Sequence, residues 1–82
     1  MKIRLFSGEF CPYCKMAKKF LKENKVEFEE IDVQNNHEMA MYMVEKTQQQ
    51  GIPVIEIIDD EGNSEFIIGF NQEKIKEKLK LK

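Results

Sequence analysis

Apolar and polar residues alternate along Lys2-Ile3-Arg4-Leu5-Phe6 before the run stops at Ser7-Gly8, which predicts a short strand leading into a loop. The period changes at Pro12. From there to about Asn24, Tyr13, Met16, Ala17, Phe20 and Leu21 return at helical spacing, while Lys15, Lys18, Lys19, Lys22 and Glu23 fill the other positions; this predicts an amphipathic helix. Val26 to Val33 is rich in β formers, but Val26 and Phe28 are out of phase with Ile31 and Val33, so a strand with a bulge or an early end is expected. Asn35, with Glu38 three residues on, predicts the cap of a second helix running to about Gln48, its inner face carrying Ala40, Met43, Val44 and Thr47. Gly51 breaks the chain. The stretch Pro53-Val54-Ile55-Glu56-Ile57-Ile58 is nearly all apolar, as expected of a central strand covered on both faces. Asp59-Asp60-Glu61-Gly62-Asn63 has the composition of a hairpin turn, Phe66-Ile67-Ile68 returns as the partner strand, and Gly69 ends it. A last helix is expected from about Gln72 to Leu81, with Ile75 and Leu79 one turn apart.

The predicted order is βαβ, then α, then a β-hairpin, then α, all within one domain spanning residues 1–82. Joined by the usual connection rules, these elements give an α/β architecture, a four-stranded mixed β-sheet flanked by three α-helices, which is the thioredoxin fold. Composition narrows the partners. The chain is 41% hydrophobic and 34% charged with a formal charge of −2, so it has the makeup of a globular domain and offers no basic footprint for nucleic acid or an anionic membrane. No stretch approaches membrane-spanning length. Met1-Lys2-Ile3-Arg4 begins with positive charge, but the apolar run of a signal peptide is interrupted at Arg4, Ser7, Gly8 and Glu9, so a cytoplasmic protein is expected.

The two cysteines sit three apart in Cys11-Pro12-Tyr13-Cys14. In a reducing compartment so close a pair is redox-active or metal-binding more often than structural. At the start of a helix, positions i and i+3 place the Cα atoms within the roughly 4.4–6.8 Å that a disulfide tolerates, so the pair can open and close without rebuilding the backbone. Pro12 suits the first helical position, since its missing N–H is one that no helix bond would use. Cys11 then lies at the helix entrance, where unpaired amides and the helix dipole favour a thiolate, and is expected to be the nucleophile. Cys14, one turn inside and more buried, is expected to stay a thiol until a mixed disulfide forms beside it, and so to be the resolving residue.

Across nearly the whole chain the sequence resembles the glutaredoxins, and more closely the small bacterial and archaeal glutaredoxin-like proteins. Cys11-Pro12-Tyr13-Cys14 looks like the dithiol active site, Gly51-Ile52-Pro53-Val54 like the cis-proline loop, and Ile68-Gly69-Phe70 like the turn from the last strand into the last helix. The resemblance implies a cis Ile52-Pro53 bond and a substrate backbone paired with Ile52 beside Pro53. It also implies that Gly69 permits close approach of a substrate chain or a glutathione tail, with Phe70, Asn71 and Gln72 nearby. The activity implied is thiol–disulfide exchange by a monomer with no bound cofactor, using glutathione as electron donor and disulfide-containing proteins as substrates. Two departures stand against that pattern. Glutathione-using members carry a lysine shortly before the first cysteine, where this chain has Ser7-Gly8-Glu9-Phe10, and they have Gly-Gly and then acidic residues where it has Gly69-Phe70-Asn71-Gln72-Glu73. A Gly-Phe turn resembles instead the redoxins that draw electrons from thioredoxin reductase and serve ribonucleotide reductase, though these usually lack the Pro-Tyr pair.

Other readings of single residues are narrower. A zinc or iron–sulfur centre would need ligands from a second chain, because Cys11 and Cys14 have only a distant lone His37 to join them; a metal-bridged dimer is the rival of a different class. Lys15, at i+4 from Cys11, supports its thiolate, stands in for the missing cation in binding glutathione, or is simply solvated, and Tyr13 either meets a docking substrate or covers the disulfide. Lys18, Lys19 and Lys22 read as surface residues, Met39, Met41 and Met43 as helix filling, and the lysine-rich end from Lys74, interspersed with Glu77, as a solvated face.

Overall fold

The computed structural model describes residues 1–80, so the predicted end of the last helix at Leu81 lies outside the described residues. The elements are β1 (Lys2–Ser7), α1 (Pro12–Glu23), β2 (Glu29–Asp32), α2 (His37–Thr47), β3 (Val54–Ile58), β4 (Ser64–Ile68) and α3 (Gln72–Leu79). The sheet order is β2-β1-β3-β4, with β1 parallel to β2 and antiparallel to β3, and β4 antiparallel to β3. This is the expected thioredoxin fold, and β3 is interior as its apolar run predicted.

Period-two alternation sends successive side chains of β1 and β3 to opposite faces, and both faces are covered. On one, Ala17 and Leu21 of α1 and Ile75 of α3 pack on Ile3, Leu5, Ile55, Ile57 and Ile67. On the other, Met43 of α2 packs on Phe6, Ile31 and Val54. The phase break before β2 is resolved by the same division. Val26 and Phe28 lie ahead of the strand and pack with the α1 and α3 layer, whereas Ile31 and Val33 turn to the α2 layer.

Four local expectations need correction, the first being Met41, expected as helix filling but 60% exposed. The cap of α2 is Asn36, whose Oδ1 accepts from the Met39 amide at 3.1 Å; Asn35 is drawn away instead, donating from Nδ2 to Asp32 Oδ2 at 2.7 Å. Tyr13 and Met16, assigned to the apolar face of α1, are 61% and 47% exposed, because the buried stripe runs through Cys14, Ala17 and Leu21. Glu56, in the middle of the apolar β3 run, is 0% exposed and is not an interruption of the core. Its carboxylate receives Arg4 Nε at 2.6 Å and the Tyr42 hydroxyl, while Arg4 Nη2 donates to the Tyr42 oxygen at 3.2 Å. The Arg4 guanidinium also lies 5.2 Å from the centre of the Tyr42 ring. This triad, centred on the buried carboxylate, ties α2 to the two interior strands, and with no buried side-chain polar atom left unpartnered among the described residues it satisfies the condition under which a buried charge is tolerated.

The β3–β4 turn is built by Asp59, whose Oδ1 accepts from the amides of Glu61 and Asn63, both at 2.9 Å. Gly62 takes φ +90 there, a conformation that side chains disfavour.

Candidate active site

The carboxyl end of β1 delivers the loop that carries the cysteines. Cys11 is the N-cap of α1 in extended conformation, Pro12 occupies the first turn as its fixed φ allows, and the Cys11 sulfur accepts the Cys14 amide at 3.3 Å. Both cysteines are free thiols; Cys11 is partly exposed, and Cys14 is only 1% exposed. Cys11 Sγ also makes a long contact of 3.9 Å to the Ile52 carbonyl oxygen. The Ile52-Pro53 bond is cis.

The loops around the cysteines are locked together. Pro53 is buried and its carbonyl accepts the Gly69 amide at 2.8 Å, which joins the proline loop to the turn after β4; Gly69 makes that turn at φ +80. A Cβ at Gly8 would stand 2.7 Å from Ile52 Cδ1 and 3.1 Å from Gln34 Cδ, so these two side-chain ends close over the loop before Cys11 and would have to shift to admit a larger residue. The adjacent Glu9 amide donates to Gln34 Oε1 at 3.1 Å.

The structure divides the remaining site candidates. Phe70 packs edge-on against Phe20, ring centres 6.0 Å apart, and together with Gln72 lines a groove of about 260 Å³ shared with Met16 and Lys19. Asn71 is the N-cap of α3, its Oδ1 accepting the Lys74 amide at 3.1 Å, so that oxygen is already engaged. Lys15 lies on the other side of α1, lining a cavity of about 290 Å³ with Ser7, Gly8, Glu9, Cys14, Lys18, Glu30 and Asp32. Among the described residues no cluster of three or more His, Cys, Asp or Glu side chains is arranged to hold a metal ion.

That cavity contains the feature the sequence reading missed. Lys18, expected to be merely solvated, places Nζ 2.5 Å from Glu30 Oε2, and the same oxygen accepts the hydroxyl of buried Ser7 at 3.2 Å. The signal was present, since Lys18 is i+4 from Cys14 and therefore on the same helix face. Burial pushes the Cys14 thiol up to about 12, reinforced by its bond with Cys11, while a Gly8 backbone contact and the Lys18 charge pull the other way.

A redox-capable cysteine pair at a helix entrance, flanked by a cis-proline loop on a four-stranded sheet, defines a glutaredoxin- or thioredoxin-like redox protein. The chain belongs to the glutaredoxin family, whose family model, Glutaredoxin, matches residues 3–62. It is 34% identical over 73 residues to an uncharacterized glutaredoxin-like 8.6 kDa protein in the rubredoxin operon of Clostridium pasteurianum, covering 89% of this chain and 91% of that one. Identity to the thioredoxin of Methanocaldococcus jannaschii is 33% over 86 residues, covering 98% of this chain and 93% of that one. The fold is also similar to the glutaredoxin-like NrdH-redoxin of Escherichia coli, with a TM-score of 0.79 at 23% identity, covering 94% of this chain and 93% of that one. No helix among the described residues is long and apolar enough to cross a membrane.

Proposed function

We propose that the protein is a cytoplasmic thiol–disulfide oxidoreductase in which Cys11 attacks a substrate disulfide and Cys14 resolves the mixed disulfide. The observation that carries this reading is the asymmetry of the pair: the Cys11 sulfur is partly open and capped by the Cys14 amide, whereas the Cys14 thiol lies buried one turn behind it. Ile52 supplies backbone beside Cys11 for an extended substrate, in the manner of strand addition. Tyr13 is exposed toward a docking substrate.

Glutathione is proposed as electron donor, at modest efficiency. The α1–α3 groove with Met16, Lys19, Phe70 and Gln72 offers a cation and an amide for its γ-glutamyl end. Against this, the loop Ser7-Gly8-Glu9-Phe10 directly before Cys11 carries no lysine, and losing one charge-assisted contact costs about 1.5–3 kcal/mol, or roughly ten- to a hundredfold in binding. A specific observation favours a second reading, in which thioredoxin reductase is the donor and ribonucleotide reductase a client. Phe10 and Tyr13 are 80% and 61% exposed beside Cys11, an apolar rim suited to a protein partner. The similarity to NrdH-redoxin, described as having a thioredoxin-like activity profile, supports the same alternative.

The test supplies NADPH with either glutathione and its reductase or thioredoxin reductase alone, and follows reduction of a small mixed disulfide and of a protein disulfide. Turnover in the glutathione system is the expected result. Turnover with thioredoxin reductase only would move the protein to the second reading.

A further inference from the structure

Resolution asks a difficult thing of Cys14. Its sulfur must attack as a thiolate, yet the thiol is almost fully buried, and burial opposes ionisation. Some group must therefore favour the charged form when the mixed disulfide forms, and the surroundings of Cys14 narrow the choice. From its own helix it is faced by Lys15 and Lys18, from the end of β1 and the following loop by Ser7 and Glu9, from β2 by Glu30 and Asp32, and at the helix entrance by Cys11. Only the two lysines are cations. Lys15 is exposed, whereas Lys18 is partly buried and fixed, because Glu30 Oε2 holds Nζ at 2.5 Å and is itself held by Ser7 Oγ at 3.2 Å. The cavity they share, about 290 Å³, carries several charged side chains and the Ser7 hydroxyl on its walls and is large enough to admit water.

We infer that Lys18, clamped by Glu30 and Ser7 on the Cys14 face of α1, is the positioning cation of the resolving step. The inference rests on the exchange reading above and deepens it. In the mixed disulfide Cys11 Sγ is bonded to a substrate sulfur. Cys14 gives its proton to water in the cavity, and the thiolate so formed is stabilised by the Lys18 ammonium. Its electron pair makes the Cys14–Cys11 S–S bond as the bond from Cys11 to the substrate sulfur breaks, and the departing thiolate takes a proton from solvent. Two protein thiols are oxidised and one substrate disulfide is reduced, so no further reagent is required. Glu30 acts indirectly, by denying Lys18 the freedom to point into solvent.

Stopped-flow reaction with dithiobis(nitrobenzoate) separates the two steps, because one coloured thiolate leaves when Cys11 attacks and a second when Cys14 resolves. Lys18→Met is expected to leave the first phase unchanged and to slow the second about tenfold, moving its half-maximal pH upward by about one unit. Lys18→Arg is expected to restore both the rate and the pH profile. An unchanged second phase in Lys18→Met, or equal slowing in Lys18→Met and Lys18→Arg, would overturn the inference while leaving the exchange reading intact. Absence of the first phase in the unmodified protein would instead overturn the exchange reading itself.

Discussion

Arg4 on β1 and Glu56 on β3 stand directly opposite each other in the ladder, and the guanidinium meets the fully buried carboxylate through Nε at 2.6 Å and Nη2 at 2.5 Å. Breaking such a pair from one side strands a charge in the core. Arg4→Met is therefore expected to destabilise the protein by about 3–5 kcal/mol, and Tyr42→Phe, which removes one donor to the same carboxylate, by about 1–3 kcal/mol. The double variant Arg4→Met/Glu56→Leu, which leaves no orphaned charge, is expected to regain most of the loss. Urea denaturation reads all three; equal stability of the single and double variants would show that the pair is not an isolated energetic unit.

The cysteines are expected to fail in different ways. Cys11→Ser should abolish exchange, whereas Cys14→Ser should still form a mixed disulfide that persists until a second thiol attacks it. Intact mass after incubation with oxidised glutathione distinguishes them, since only the Cys14→Ser protein should accumulate a glutathione adduct. In the unmodified protein, brief alkylation should label Cys11 alone, because Cys14 is 1% exposed and its thiol is raised to about 12.

Alkaline pH should weaken the fold, and the sign follows from the same shift. Cys14 holds its proton more tightly folded than unfolded, so its contribution is complete below its ordinary value of 9.0 and is lost as pH rises from there toward about 12. Tyr42 acts in the same direction, its hydroxyl pushed up first by burial and then by its bond to Glu56. Melting temperature is thus expected to fall above pH 9, and less steeply in Cys14→Ala. A slope that Cys14→Ala leaves unaltered would remove Cys14 from this account.

Asn71 offers a separation of structure from binding. Its side chain caps α3, and replacing an N-cap by alanine costs about 0.5–2 kcal/mol, whereas serine preserves the acceptor. Asn71→Ala is expected to lower stability by that amount and Asn71→Ser to leave it unchanged, as read by thermal melting. If Asn71→Ser is stable yet raises the KM for glutathione, the amide group meets the donor in addition to capping the helix.

What could be read from the sequence was what depends on near neighbours. The period-two pattern of β1, the helical spacing of α1 and the Asp59–Asn63 turn each announce themselves within a few residues, and the elements they predict are present. The residues misjudged are those whose partners lie far along the chain. Glu56 passed as part of an apolar run because Arg4 is 52 residues away and Tyr42 is 14. Lys18 passed as solvated because Glu30 joins it only once β2 is laid beside β1. The Asn35 and Asn36 pair shows a finer limit: either can cap a helix, and the choice was made by Asp32, which bonds Asn35 first. At the site itself, the spacing of Cys11 and Cys14 placed the pair correctly at a helix start, but not the groove between Phe70 and Met16, which needs α3 to be packed on α1.

The cap at the start of α1 gives Cys11 Sγ a second occupation, because the atom that attacks is also the acceptor that terminates the helix. A substrate bonded there competes with the Cys14 amide for the same lone pairs, so reaction progress and local helix integrity are written on one atom. Serine at this position keeps an acceptor and erases only the chemistry, whereas alanine erases both. Loss of activity in an alanine variant would therefore confound two causes that the serine variant keeps apart.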